Sequence, residues 1–231
     1  MKSLKAVQII SIFLFAGLSI LASCKKKKPG FPLQFEYFGL TEGRFVEYEV
    51  LRVFHDASLT IKHDTTRYQL KTVVADTVID NAGRVARKFY RYTRSSSAED
   101  WQLKDLWTAI IVDNRAELVE ENQRTIKLVF APSEDKTWDC NAFNMLGEME
   151  CHYTNLNQSI VVNNKKFPYT VQVEQQDYKT LIDKKRKYEI YAAGIGLVYK
   201  HYEDLEYSIS APLIPRKGEE YYYNVTNYGM Q

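Results

Sequence analysis

Alternation constrains this chain more than any other feature. From Arg44 to Phe54 it reads RFVEYEVLRVF, with rings or aliphatics set against charges at nearly every second place. A period of two sends successive side chains to opposite faces, so the segment is expected to be a strand with one wet face. Related patterns return at Tyr68–Val74, Leu103–Asp113, Thr125–Phe130, Tyr169–Glu174, Lys187–Ala192 and Ile195–Tyr202. Thr77–Ile79, Asp80-Asn81-Ala82-Gly83 and Val85–Thr93 read as a hairpin. Ser95-Ser96-Ser97 reads as a loop, Ala193-Gly194 as a corner, and Tyr221–Val225 as a closing strand. Ala116–Arg124 contains good helix formers, among them Glu117, Leu118, Glu120 and Glu121. A turn at Glu121-Asn122-Gln123 is nevertheless preferred, because a strand follows at Thr125. Trp138–Asn164 is the least regular stretch. About ten strands with no strong long helix predict a mainly β fold: an antiparallel curved sheet, either barrel or half-barrel.

Ahead of this region lies a different kind of sequence. Met1-Lys2-Ser3-Leu4-Lys5 is basic, Ala6–Ala22 is apolar, and Leu21-Ala22-Ser23-Cys24 precedes four lysines, Lys25–Lys28. A basic start, an apolar middle and small residues before a cut predict a secretory signal peptide, expected as a helix. Leu-Ala-Ser-Cys resembles the lipobox of bacterial lipoproteins, which implies acylation of Cys24 and cleavage before it. The competing reading is an uncleaved anchor, since Ala6–Ser23 is 18 residues and at the short end for a membrane span. A plain anchor has no need of a cysteine at its boundary. The expected organisation is a signal peptide over 1–23, a lipidated cysteine and basic tether over 24–30, and a single antiparallel β domain over 31–231.

Cleavage there leaves 208 residues and removes Lys2 and Lys5, so 29 Lys and Arg face 29 Asp and Glu. The mature chain is formally neutral, and the basic pI belongs to the leader and tether. Nucleic-acid binding, which needs a concentrated basic face, is not expected. The expected partners are a membrane, through the N-terminal lipid, and a hydrophobic, glycan or protein ligand. Surface-displayed lipoproteins of one bacterial group resemble one another in carrying acidic residues soon after the cysteine. Lys25–Lys28 lacks them, which implies the periplasmic face of the outer membrane.

Cys140 and Cys151 form an even pair in an oxidising compartment and are expected to bond across the irregular stretch, near the surface. Trp138–Asn144 and Tyr191–Lys200 resemble stretches of a group of Bacteroidota lipoproteins without an assigned activity, so the likeness carries no functional residues. The chain departs from their pattern at Asp139 and Cys140, where Asn-Gly is usual. Asp64-Thr65-Thr66 and Asp76-Thr77-Val78 resemble the O-glycosylation sequon of the same bacteria, which makes Thr65 and Thr77 candidate sugar sites.

Catalytic signals are weak. Gly194-x-Gly196 lacks the following helix that a phosphate loop needs, so a hairpin corner is expected. His55-Asp56 and His63-Asp64 repeat a pair eight residues apart and His152 adjoins Cys151, but neither arrangement has close-spaced metal-ligand geometry. Wet strand ends explain the His-Asp pairs. No metal or cofactor is expected. A Gly-x-Ser-x-Gly elbow is missing, and a working Cys–His pair meets across a fold rather than along the chain. Most of the acids read as solvated strand faces. The 17 Tyr and 11 Phe are expected chiefly to fill the core, with a cavity lining as the alternative. A non-enzymatic binding or structural lipoprotein is therefore favoured over a periplasmic hydrolase of envelope polymer or glycan.

Overall fold

The computed structural model describes residues 34–231. The expected signal helix, Cys24 and the lysine tether lie outside the described residues. A single 3-10 turn, η1 (Phe35–Phe38), precedes twelve strands. These are β1 (Arg44–Asp56), β2 (His63–Ile79), β3 (Val85–Arg94), β4 (Gln102–Val112), β5 (Arg115–Glu120) and β6 (Gln123–Val129), followed by β7 (Thr137–Asp139), β8 (Glu150–Val162), β9 (Lys165–Lys179), β10 (Asp183–Ala192), β11 (Gly196–Ser208) and β12 (Ala211–Met230).

All twelve share one antiparallel sheet, ordered β6-β5-β4-β3-β2-β1-β12-β11-β10-β9-β8-β7. Every pairing but one joins consecutive strands. The exception sets β1 against β12, with Arg44 facing Met230 and Asp56 facing Lys217. The two edge strands, β6 and β7, follow each other in sequence and meet at a seam. There the Ile126 amide donates to the Cys140 carbonyl at 2.9 Å, and the Trp138 indole donates to the Ile126 carbonyl at 3.1 Å. The Tyr153 hydroxyl accepts from the Val129 amide and donates to the Val129 carbonyl, both at 2.9 Å. The sheet is thus a nearly closed barrel, and side-chain bonds at the seam cover edges that would otherwise stay unpaired.

Turn chemistry explains most of the punctuation. Asp113-Asn114, Glu121-Asn122 and Asn163-Asn164 all take positive φ at both residues, as two-residue hairpins with the right twist require. Asn155 and Asn157 also take positive φ, where β8 shifts register against β9 between Thr154 and Gln158. Asparagine tolerates that conformation better than other side chains. The asparagine-rich stretch is therefore mostly strand, and irregular backbone is confined to the loop between β7 and β8. Likewise Tyr68–Val74 and Thr77–Ile79 are one 17-residue strand, not two. A register shift between Val74 and Thr77 breaks the alternation there and makes the sequence look interrupted.

Two apolar clusters hold the barrel. One, around the seam, gathers Tyr37, Leu128, Phe130, Tyr153, Val171 and Tyr191 with the disulfide. The other joins Val46, Tyr48, Val50, Leu70, Phe167 and Val198 with Val225 from the closing strand. Fully burying a side chain such as Leu128 or Phe167 contributes about 1.5–3 kcal/mol. Cys140 and Cys151 are bonded, with α carbons 6.0 Å apart, but they are buried in the seam cluster rather than lying near the surface. Their polar neighbours mislead because His152, next along β8, points to the opposite face.

One end of the barrel is crossed by η1. Tyr37 is buried there and its hydroxyl donates to Asn157 Oδ1 at 2.6 Å. The Gly194 amide donates to the Glu36 carbonyl at 2.9 Å, tying η1 to the β10–β11 turn. Gly39, at φ +64°, permits this approach: a β carbon there would lie 2.4 Å from the Ile195 carbonyl oxygen. Gly196 meets the same segment from the other side, near the Phe38 carbonyl. The Gly-x-Gly corner thus seats a plug.

Candidate functional site

Inside the barrel is a cavity of about 760 Å³. It extends from Phe38, Gly39 and Ile195 at the plug to Ser95 and Glu99 in the β3–β4 turn at the opposite end. Tyr48, Tyr68, Tyr191, Tyr202, Tyr221 and Tyr223 all line it. Part of the aromatic wealth therefore faces a cavity rather than filling the core.

The cavity is also charged. Seven Arg and Lys and four Glu contribute to its lining. On one wall, strands β1, β3 and β4 supply Arg44, Arg52, Arg91, Arg94 and Lys104. The Arg91 guanidinium lies 3.7 Å from the Trp107 ring centre and pairs with Asp105 at 3.1 Å. Arg94 stacks over Trp101 at 4.2 Å, and Arg52 pairs with Glu219 at 2.6 Å. Among the described residues Lys104 has no carboxylate partner. Lys104 is exposed; partial desolvation, then the nearby Arg91, sets its ammonium below the ordinary lysine range against the pull of Asp105 and Glu121. Three buried donors in this lining have no acceptor: Arg44 Nε, Arg52 Nε and Trp107 Nε1. Buried donors are normally paired, and these three atoms are enclosed within the wall rather than open to the cavity.

The opposite wall, from β5, β6, β10 and β11, is internally satisfied. Lys127 Nζ sits 3.0 Å from Glu120 and 3.3 Å from Glu189, and Lys200 Nζ lies 3.4 Å from Glu189. The Tyr191 hydroxyl donates to Glu189 at 2.6 Å. Burial opposes the Glu189 charge, but the Coulomb pull of Lys127 and Lys200 and the hydroxyl bond outweigh it, leaving the carboxyl at about 2. Glu120 is also held below the carboxylate range. A carboxyl acting as general acid near neutral pH needs its pKa raised, and these two are shifted the other way. The pair is locked ionised.

A second charged cluster sits where the β2–β3 turn meets β5 and β6. Asp80 and Glu117 are enclosed by Arg84, Arg115 and Arg124, with separations from 2.6 to 3.1 Å. Arg84, Arg115 and Arg124 hold Glu117 below the usual range against the cost of burial. Glu174 and Glu203 are buried too, beside Arg186 and Lys184. The reading of the acids as solvated faces fails at all of these positions. Sequence showed no sign of it, because a buried carboxylate and a wet one occupy the same alternating place.

The two His-Asp pairs are brought together: His63 and Asp64 are exposed at the start of β2, a wet end as expected, whereas His55 is enclosed. His55 is buried, its Nδ1 lies 2.7 Å from His63 Nδ1, and its Nε2 lies 2.8 Å from Glu220. His152 stands elsewhere, opposite Thr137, and the Cys151 sulfur beside it is committed to the disulfide. Thr65 and Thr77 are both exposed on β2.

No protein-family model matches the chain, and no curated protein sequence matches it. Among solved structures it is similar to one from Bacteroides fragilis described as an exported protein with a YmcC-like fold. That likeness has a TM-score of 0.44 and 14% identity over 83% of this chain and 98% of the other. It is also similar to a Vibrio parahaemolyticus structure described as an outer membrane lipoprotein-sorting protein domain. Here the TM-score is 0.20 and identity 10%, over 82% of this chain and 86% of the other.

Proposed function

We propose that the chain is a lipid-anchored, non-enzymatic protein of the cell envelope that binds an elongated ligand, bearing an anionic oxygen group, inside its barrel. The observation that carries this reading is the asymmetry of the cavity. One wall has satisfied its own charges. The other presents Lys104, exposed and without a carboxylate partner among the described residues, beside the Arg91 guanidinium stacked on Trp107. A phosphate ester or carboxylate would pair with the Lys104 ammonium, and the tyrosines would carry the rest of the ligand through ring contacts. Hydrolysis is the weaker reading, because Glu120 and Glu189 bracket Lys127 and hold no proton to give.

The test uses octyl phosphate and octyl glucoside below their micellar concentrations, followed through the emission of Trp107 under Arg91. Octyl phosphate should bind the more tightly, and Lys104→Met should weaken it about tenfold, the value of one charge-assisted bond, while leaving octyl glucoside unchanged. Equal weakening of both probes, or binding of neither, defeats the proposal. Glycan cleavage by the wild type that is lost in Glu189→Gln would favour the hydrolase.

The anchor rests on the resemblance of Leu21-Ala22-Ser23-Cys24 to a lipobox. Cys24→Ser should abolish palmitate incorporation, and protease shaving of intact cells should spare the wild-type protein if it faces the periplasm. Sugar on Thr65 or Thr77 is a further part of the reading, and an intact mass equal to polypeptide plus lipid would remove it.

A further inference from the structure

The β1–β2 hairpin brings two histidines together in a way that their spacing conceals. Eight residues apart along the chain, His55 and His63 are direct cross-strand partners, the last pair before the turn. Side chains so paired share one face of the sheet, with β carbons about 5 Å apart. The two Nδ1 atoms face each other at 2.7 Å, with ring centres 5.0 Å apart and planes inclined at 68°. Imidazole nitrogens aimed at one another at this distance are joined through one proton or through one metal ion. The surroundings suit a metal ligand. His55 is buried, and its other nitrogen, Nε2, lies 2.8 Å from Glu220 Oε1. The Tyr222 hydroxyl donates to Glu220 Oε2 and holds that carboxylate in place. Metal-binding histidines nearly always turn their second nitrogen to a carboxylate, a carbonyl or a water. His63 is exposed, so an ion and its waters can reach the pair.

We infer that His55 and His63 chelate a divalent late transition-metal ion, copper(II) in preference to zinc, through their Nδ1 atoms. Distance selects the ion. Two metal–nitrogen bonds of about 2.0 Å at a right angle put their nitrogens about 2.8 Å apart, against about 3.3 Å at the tetrahedral angle. The observed 2.7 Å matches neighbouring corners of a square-planar ion. The rings then need to turn but not to part, and the torsion between β carbon and ring is soft. The affinity order of divalent ions at nitrogen sites points the same way, with copper above nickel and zinc. No group of three or more His, Cys, Asp or Glu suited to a metal occurs among the described residues, so water fills the remaining positions. Asp56 and Asp64, next to the histidines, alternate to the other face, and Asp56 is bonded to Ser58. Neither histidine lines the cavity, so this site is separate from the ligand proposed there. A bound ion clips β1 to β2 at the turn end of their ladder.

The experiment uses the full chain with Cys24→Ser, which removes the one cysteine outside the disulfide. It is titrated with copper(II), nickel(II) and zinc(II) in a weakly coordinating buffer near neutral pH. Calorimetry should show a single copper per chain, held more tightly than zinc, and the electron paramagnetic resonance spectrum should show coupling to two nitrogens. His63→Gln changes an exposed side chain and leaves the core untouched. It should weaken copper by at least about tenfold and leave coupling to one nitrogen. Glu220→Gln should weaken copper about tenfold while both nitrogens stay coupled, and His152→Gln should change nothing. Copper should also raise the thermal midpoint of the parent protein but not that of His63→Gln. No stoichiometric uptake, uptake unaffected by His63→Gln, or zinc held more tightly than copper overturns the inference. The first of these outcomes would leave the pair as a hydrogen bond between strands.

Discussion

Glu189 provides a quantitative test of the satisfied cavity wall. Its carboxyl is displaced from 4.5 to about 2 in the folded barrel, with Lys127 and Lys200 as the main pull against burial. Because the folded pKa is depressed, the associated stability is fully present above pH 4.5 and disappears as pH falls toward 2. At 1.36 kcal/mol for each pKa step, a displacement of this size is worth about 3 kcal/mol. The residue is only 2% exposed, so solvent screening removes little of it. Glu189→Gln keeps the shape and the Tyr191 contact but removes the charge. The variant should therefore be about 3 kcal/mol less stable at pH 7, a urea midpoint lower by about 1.5 M for a slope near 2 kcal/mol/M. Other depressed carboxylates, Asp80 and Glu117 among them, make both proteins acid-labile and cancel in the difference. Urea titrations at pH 7, 5, 4, 3 and 2.5 should thus show the gap closing below pH 4.5. A gap that stays constant across this range would refute the argument, because it would reflect lost packing rather than lost charge.

Other perturbations follow from the same geometry. Glu117→Ala leaves Arg84, Arg115 and Arg124 facing one another around a buried gap and should cost about 3–5 kcal/mol, read by urea denaturation. Cys151→Ser opens a cross-link spanning 11 positions and should cost about 3 kcal/mol, with faster proteolysis between Asn141 and Met149. Gly39→Ala forces a side chain into left-handed backbone and against the Ile195 carbonyl. It should lose at least about 1–2 kcal/mol, and Tyr37 should become accessible to iodination.

Strand after strand could be read in the sequence wherever one face is apolar and the other wet. Arg44–Phe54 is the plainest case, and its reading matches β1. The helix-forming stretch around Glu117–Glu121 also resolves as two strands about a turn, because a hairpin with Asn122 at positive φ outweighs local propensity. The cavity could not be read. In β10 the inward places are Lys187, Glu189 and Tyr191 and the outward ones Tyr188 and Ile190, so polarity runs opposite to the usual rule. Alternation reports that two faces differ, not which of them is inside. The Lys104–Trp107 wall was hidden for a second reason. Its members come from β1, β3 and β4 and share no spacing along the chain. The partner for Cys140 was legible from count and compartment, whereas its burial depended on the seam.

The order of the strands carries a kinetic consequence. Hairpins form from neighbours and cost little loop-closure entropy, but the β1–β12 ladder must bring Gly43 to Gln231, whose amide donates to the Gly43 carbonyl at 2.8 Å. That ladder is the single pairing of high sequence separation in the sheet. Joining the chain there and opening it instead in the β6–β7 loop, where no strand pairing is lost, would give a permutant of the same barrel with every ladder local. Contact order would fall, and folding should accelerate while the native bonds stay the same. The β1–β12 ladder thus sets a slow step at the centre of the sheet, and the barrel can close only once β12 is available to pair with β1.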